Sequence, residues 1–129
     1  MDIRENPPLA GFRFLIVEDD IMQAWQVSAI VSDLGGSVEK VAYHFDQAKE
    51  ALDQGQFDCA IVDLNLDGLY AYPIIEALAQ RGIPCIFCTA YAESEAIFIG
   101  IAHIPRVKKP VDLEELCAAV LSVLRPDRT

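Results

Sequence analysis

With 129 residues, 53% of them hydrophobic, and a mean hydropathy of +0.26, the chain has enough length for one packed domain and too much apolar content for a disordered segment. Its 20 acidic and 10 basic side chains give a formal charge of −10, which a nucleic-acid backbone would repel, and no basic cluster offsets it. No apolar run reaches the ~18 residues of a membrane helix, and the opening stretch, with Asp2, Arg4 and Glu5, has no apolar segment to serve as a secretory signal.

Residues 1–11 read as an extension ahead of the domain. Arg13 to Val17 is an apolar run of the kind found in strands covered on both faces. From Asp20 to Leu34, the residues Ile21, Ala24, Trp25, Ile30, Val31 and Leu34 recur at helical spacing, with Trp25 expected on the core face. Gly35-Gly36 ends that helix. A weaker strand, Ser37 to Val41, leads to a helix from Phe45 to Gln54, stopped by Gly55. Asp58 to Leu64 is the third strand, Asn65 to Leu69 a loop, and Tyr72 to Gln80 a helix closed by Arg81-Gly82.

Ile83 to Cys88 is the fourth strand. The pattern then weakens: Glu93 to Ile101 reads as a short helix whose crowded Ile97, Phe98, Ile99 and Ile101 are expected to cover the sheet, the alternative being a docking patch for a kinase or a second receiver. Arg106 to Lys108 is a poor strand by composition. Val111 to Leu124 is a helix with Leu113, Leu116, Cys117, Val120 and Leu124 on one face and Asp112 as its N-cap. Five β-α repeats with right-handed crossovers imply an α/β domain over residues 12–125, with helices on both sides of a parallel sheet. The tail, 126–129, leaves the expectation of a domain without its own output module.

Cys85 and Cys88 have the C-x-x-C spacing of redox or zinc sites. Inside a strand, however, residues i and i+3 point to opposite faces. The four cysteines therefore read as buried hydrophobes of a reducing cytoplasm. His44 and His103 have no ligand partners at metal spacing and read as surface residues.

Chemistry collects at the strand ends. Glu18 and Asp19 follow the first strand, Asp63 ends the third, Thr89 ends the fourth, and Lys109 follows the fifth. In a parallel sheet these groups converge on the carboxyl edge, where open α/β folds bind ligands. Mg²⁺ takes oxygen ligands and keeps several waters. The acidic residues Glu18, Asp19, Asp20, Asp63 and Asp67 read as a cation site, in which Asp19 and Asp63 would bind the ion directly, Glu18 through water, and Asn65 through its backbone carbonyl. Asp63 reads as a nucleophile that accepts a phosphoryl group. Lys109 supplies a point charge and Thr89 a hydroxyl to the phosphoryl oxygens. Neighbours on a strand face opposite sides, so only one of Lys108 and Lys109 can take this place; that it is Lys109, next to Pro110, is what the family resemblance given next implies.

This ordered set, Glu18-Asp19, Asp63, Thr89 and Lys109-Pro110, resembles the receiver domain of two-component response regulators over about residues 12–125. The resemblance implies a flavodoxin-like (βα)5 fold of strand order 2-1-3-4-5. It also implies a cytoplasmic protein whose Asp63 takes phosphate from a sensor histidine kinase or a histidine phosphotransfer protein, with no catalysis beyond its own phosphorylation and dephosphorylation. The stretches Asp63-Leu-Asn-Leu-Asp-Gly, Tyr72-Pro73, Arg81-Gly82-Ile83-Pro84 and Phe87-Cys88-Thr89-Ala90-Tyr91 look like an alphaproteobacterial subgroup with a short or irregular fourth helix, often served by kinases of the HWE type. Only 19 residues separate Thr89 from Lys109, in keeping with that helix.

There is one departure. Where such domains carry an aromatic residue three positions before the lysine, this chain has Arg106. The expectation is a single-domain response regulator, a monomer or weak dimer with no nucleic-acid or membrane partner. The alternatives are a receiver segment of a hybrid kinase and a pseudo-receiver that binds partners constitutively. An aspartyl-phosphate phosphatase is disfavoured, because Asn65 stands where such enzymes use an aspartate as acid and base.

Overall fold

The computed structural model describes residues 5–90 and 99–124. A parallel five-stranded sheet is formed by β1 (Arg13–Val17), β2 (Ser37–Ala42), β3 (Cys59–Asp63), β6 (Cys85–Thr89) and β7 (Arg106–Lys108), in the order β2-β1-β3-β6-β7. That is 2-1-3-4-5 once the small antiparallel hairpin of β4 (Asn65–Leu66) and β5 (Leu69–Tyr70) is set aside. The described helices are α1 (Ile21–Asp33), α2 (Phe45–Gln54), α3 (Tyr72–Gln80) and α4 (Leu113–Leu124).

Alternation along the strands sorts side chains into two cores. On one face Ala60, Val62 and Cys85 pack with residues of α2 and α3, including Ala48, Leu52, Ile74 and Leu78. On the other, Ile61, Ile86 and Cys88 pack with Val27 and Val31 of α1 and Leu116 and Val120 of α4. Cys85 and Cys88 thus face opposite sides of β6, as strand geometry requires. All four cysteines are free, and Cys117 is only half-buried where the other three are buried.

Helix ends follow local chemistry. Asp20 Oδ1 accepts the Gln23 N–H (3.0 Å) at the start of α1, and Asp112 Oδ2 accepts the Glu115 N–H (3.0 Å) at the start of α4, both side-chain N-caps. At the end of α1, Gly35 adopts φ 92°. Its N–H donates to the Ser32 carbonyl and the Gly36 N–H to the Val31 carbonyl, the paired bonds of a Schellman cap.

Trp25 is not on the core face. The buried stripe of α1 is Ala24, Val27, Val31 and Leu34, and Trp25 lies about 100° around the helix from Ala24. It is 67% exposed, beside the exposed Ile21 and Met22. The periodicity of apolar residues in α1 is wider than the face the sheet can cover.

The stretch before β1 packs onto the domain. Leu9 is completely buried among Phe14, Val31 and Leu34, and its N–H donates to the Leu34 carbonyl (2.9 Å). Phe12 O accepts the Ser37 N–H (3.0 Å), and a side chain at Gly35 would collide with Pro7. The residues read as an extension therefore clamp the C-terminal end of α1 from Pro7 onwards.

The expected loop after Asp63 is the hairpin β4–β5. Asp67 (φ 51°) and Gly68 (φ 89°) form its turn, the Asp-Gly pairing that two-residue hairpins favour. β7 forms despite its composition, because Val107 is buried in the core and Phe87, Cys88 and Thr89 pair with Arg106, Val107 and Lys108. Of the short fourth helix, 91–98 lie outside the described residues. Beyond them, Ile99 is 81% exposed, whereas Ile101 packs against Leu64, Ile75 and Phe87. Among the described residues no helix is long and apolar enough to cross a membrane.

Candidate functional site

Parallel pairing carries the groups read from the strand ends to one edge of the sheet. The Glu18 N–H donates to the Ala42 carbonyl (3.0 Å), which holds Glu18 one residue past β1. Asp63 is the last residue of β3 and Thr89 the last of β6, and both are buried together with Glu18. The Lys109 N–H donates to the Thr89 carbonyl (2.9 Å), so the lysine enters the site from a backbone already fixed to β6. The Lys109–Pro110 peptide is cis.

Lys109 Nζ lies 2.9 Å from Asp63 Oδ2 and 2.9 Å from Glu18 Oε2. The remaining carboxylate oxygens are held by the backbone: Glu18 Oε1 accepts the Asp20 N–H (3.1 Å), and Asp63 Oδ1 accepts the Asn65 N–H (3.1 Å). Glu18, Asp19 and Asp63 each offer a carboxylate oxygen within 4.8 Å of the others. Three clustered carboxylates, two of them paired with one ammonium, leave an excess of negative charge, and this all-oxygen donor set fits a hard divalent cation such as Mg²⁺.

Electrostatics follow from burial. Removal of Glu18 from water pushes its carboxyl up to about 7, reinforced by Asp63 and opposed by the Lys109 ammonium and the Asp20 amide. For Lys109 burial acts downwards, but hydrogen bonds and attraction to Asp63 and Glu18 outweigh it and hold the ammonium above its ordinary value. The lysine stays charged where the carboxylates need it.

The structure brings Glu18, Asp19, Asp63, Thr89 and Lys109 to one sheet edge, with the Asn65 backbone at its rim. Lys108 stays exposed on β7. Asp20 and Asp67 stand apart from the cation cluster: Asp20 caps α1 and Asp67 forms the hairpin turn. His44 and His103 are exposed, and His44 serves as N-cap of α2 by accepting the Gln47 N–H (3.4 Å). Sequence reasoning missed the Asn65 side chain, whose Oδ1 accepts the Gly68 N–H (2.7 Å) and so locks the hairpin. The Asn-x-Asp-Gly spacing was the available signal.

Parallel strands in the order 2-1-3-4-5 with an acidic cluster and a lysine at their carboxyl edge define a receiver-type α/β domain. The chain belongs to the response regulator receiver domain family, whose model matches residues 14–121. It is similar to the positive alginate biosynthesis regulatory protein of Pseudomonas aeruginosa, 28% identical in a match that covers 88% of this chain and 48% of that protein. It is also similar to the transcriptional regulatory protein DltR of Streptococcus agalactiae, 26% identical over 84% of this chain and 50% of that protein. The chain spans about half the length of the curated relatives it matches. Among solved structures, the signal receiver domain of a modulated diguanylate cyclase from Desulfovibrio desulfuricans superposes with a TM-score of 0.79 at 25% identity, covering 89% of this chain and 94% of that one. The response regulator PhyR from Brucella abortus gives 0.76 at 26% identity, covering 90% of this chain and 49% of that one.

Proposed function

We propose that Asp63 accepts a phosphoryl group from a phosphohistidine on a sensor histidine kinase, of the HWE type among others, or on a histidine phosphotransfer protein. The observation that carries this reading is the 2.9 Å contact between Lys109 Nζ and Asp63 Oδ2, beside the Glu18–Asp19–Asp63 cluster. A carboxylate oxygen of Asp63 forms a bond to phosphorus as the donor's N–P bond breaks, and the electron pair stays on the imidazole nitrogen. Asp19, Asp63 and the Asn65 carbonyl would hold Mg²⁺, with Glu18 reaching it through water, and when bound it would supply positive charge to the transferring group. Lys109 gathers the phosphoryl oxygens, and the Thr89 hydroxyl bonds one of them once the group is in place.

The domain promotes its own phosphorylation and dephosphorylation only, and signals by partner binding or by passing phosphate along a relay. Its four free thiols fit a reducing cytoplasm. Incubation with Mg²⁺ and acetyl phosphate adds the mass of one phosphate, and Asp63→Ala abolishes it. No gain from acetyl phosphate or from a cognate kinase would leave a pseudo-receiver.

A further inference from the structure

We propose that the outward face of α1 pairs with the same face of a second copy of this chain, each Trp25 entering a cleft beside α1 of the other. Pairing needs no phosphate on Asp63.

The face carries both a knob and a hole. Ile21, Met22 and Trp25 are 69%, 65% and 67% exposed, an apolar patch on a helix whose opposite side is already packed. Beside α1 lies a cleft of about 380 Å³ walled by Val27, Ala90, Pro110 and Val111, apolar groups with room between them for an indole ring. Gln23 also lines the cleft, and its Oε1 is buried with no hydrogen-bond partner among the described residues. An indole N–H entering an apolar cleft needs an acceptor, and this oxygen lacks a donor. Gln23 is only half-buried, so rotation about its side-chain bonds turns that oxygen into the cleft.

Knob and hole stand at one height on the helix. At about 100° per residue, Met22 lies nearly opposite the buried stripe and forms the crest. Trp25 then falls about 60° to one side of Met22 and Gln26 about 40° to the other, with Gln23 and Val27 beyond Gln26. All three cleft-side residues are within two positions of Trp25, or about 3 Å along the axis. A two-fold axis running along the crest therefore sets each indole against the cleft flank of the other copy, reciprocally. The two α1 helices run roughly parallel, crossing near Trp25 and separating before Asp33, which is exposed at the far end.

Charge selects a like chain for this face. At −10, two copies repel each other over most directions of approach. From Ile21 to Ser32, α1 has no acidic or basic side chain, so copies can meet there without setting carboxylate against carboxylate. A strongly basic partner would gain more from the acidic surface elsewhere. Glu18 and Lys109 also border the cleft, so pairing covers that flank of the sheet-edge site.

Sedimentation equilibrium of the full chain in EDTA, from about 5 μM to about 1 mM, tests the inference. A monomer–dimer equilibrium with a Kd on the order of 100 μM is expected, as for a small interface. It is expected to tighten at least about threefold as NaCl rises from about 50 mM to about 500 mM, because salt screens the like charges. Tryptophan emission, hydrated in dilute monomer, moves to shorter wavelength as dimer forms. Trp25→Ser is expected to weaken pairing at least about tenfold. In NMR spectra the Gln23, Ala90 and Val111 amides are expected to shift with concentration while α2 and α3 stay fixed. A chain that remains monomeric at about 1 mM overturns the inference and leaves the α1 face to a different protein. A dimer that Trp25→Ser leaves intact overturns the choice of surface, and one without shifts at Ala90 and Val111 overturns the entry of Trp25 into the cleft. Trp25→Phe, an aromatic knob without the N–H, is expected to pair with intermediate strength; pairing as tight as the parent chain overturns the bond to Gln23.

Discussion

Lys109 and Glu18 form an ion pair, with Nζ 2.9 Å from Oε2, so the lysine that faces Asp63 also offsets the buried carboxylate just after β1. One cation serves two carboxylates from different strands.

Replacing Lys109 by Met strands Glu18 and Asp63 in a buried setting without their counter-charge. The fold is expected to persist but to lose about 3 kcal/mol of stability. Mg²⁺ is expected to recover much of this, because it brings positive charge to the same oxygens. Urea unfolding with and without Mg²⁺ measures both effects; equal losses in the two conditions would contradict the shared-site geometry.

Glu18 sets a pH dependence in metal-free protein. Its carboxyl ordinarily titrates at 4.5 and is raised in the fold to about 7, chiefly by burial. Between these values the folded state binds more protons than the unfolded one, so stability falls as pH rises. The contribution is complete below about 4.5 and gone above about 7, and Glu18→Gln is expected to flatten that window in EDTA. Asp58, held below its ordinary value by hydrogen bonds from Arg13, acts with the opposite sign and at lower pH. Mg²⁺ binding near pH 6 is expected to release protons, measurable by calorimetry in buffers of different ionisation heat.

Trp25, the chain's single tryptophan, is 67% exposed. Its fluorescence is expected at the long-wavelength position of a hydrated indole and open to quenching by acrylamide. Trp25→Ser is expected to change stability by less than about 0.5 kcal/mol. A blue-shifted, protected emission would place the ring elsewhere.

Leu9 fills a fully buried position between α1 and β1. Leu9→Ala is expected to cost about 3 kcal/mol, and removal of residues 1–11 at least as much, both read from urea midpoints. Unchanged midpoints would show the segment to be a dispensable tail.

Legibility tracked locality. The strand-end groups could be read because a parallel sheet sends every C-terminal strand end to one edge, so Glu18, Asp63 and Thr89 follow from where their apolar runs stop. Strand alternation admits only one of Lys108 and Lys109 to the site, the family resemblance at Lys109-Pro110 selects between them, and Lys109 Nζ lies 2.9 Å from Asp63 Oδ2. Trp25 was misplaced because apolar spacing marks a helical stripe without its width. Leu9 went unread because its partners, Val31 and Leu34, are more than 20 residues away in the chain. The hairpin reads as a loop in the sequence because its strands are two residues each, too short for alternation to register.

Burial of the thiols has a practical corollary. Cys59 and Cys88 are pushed up to about 12 and Cys85 to about 11 by desolvation, so these three resist alkylation in the native state. Cys117 on α4 is only half-buried and is the natural attachment point for a single maleimide dye. A label there, paired with the indole on α1, gives a ready-made optical ruler across one face of the molecule with no engineered cysteine.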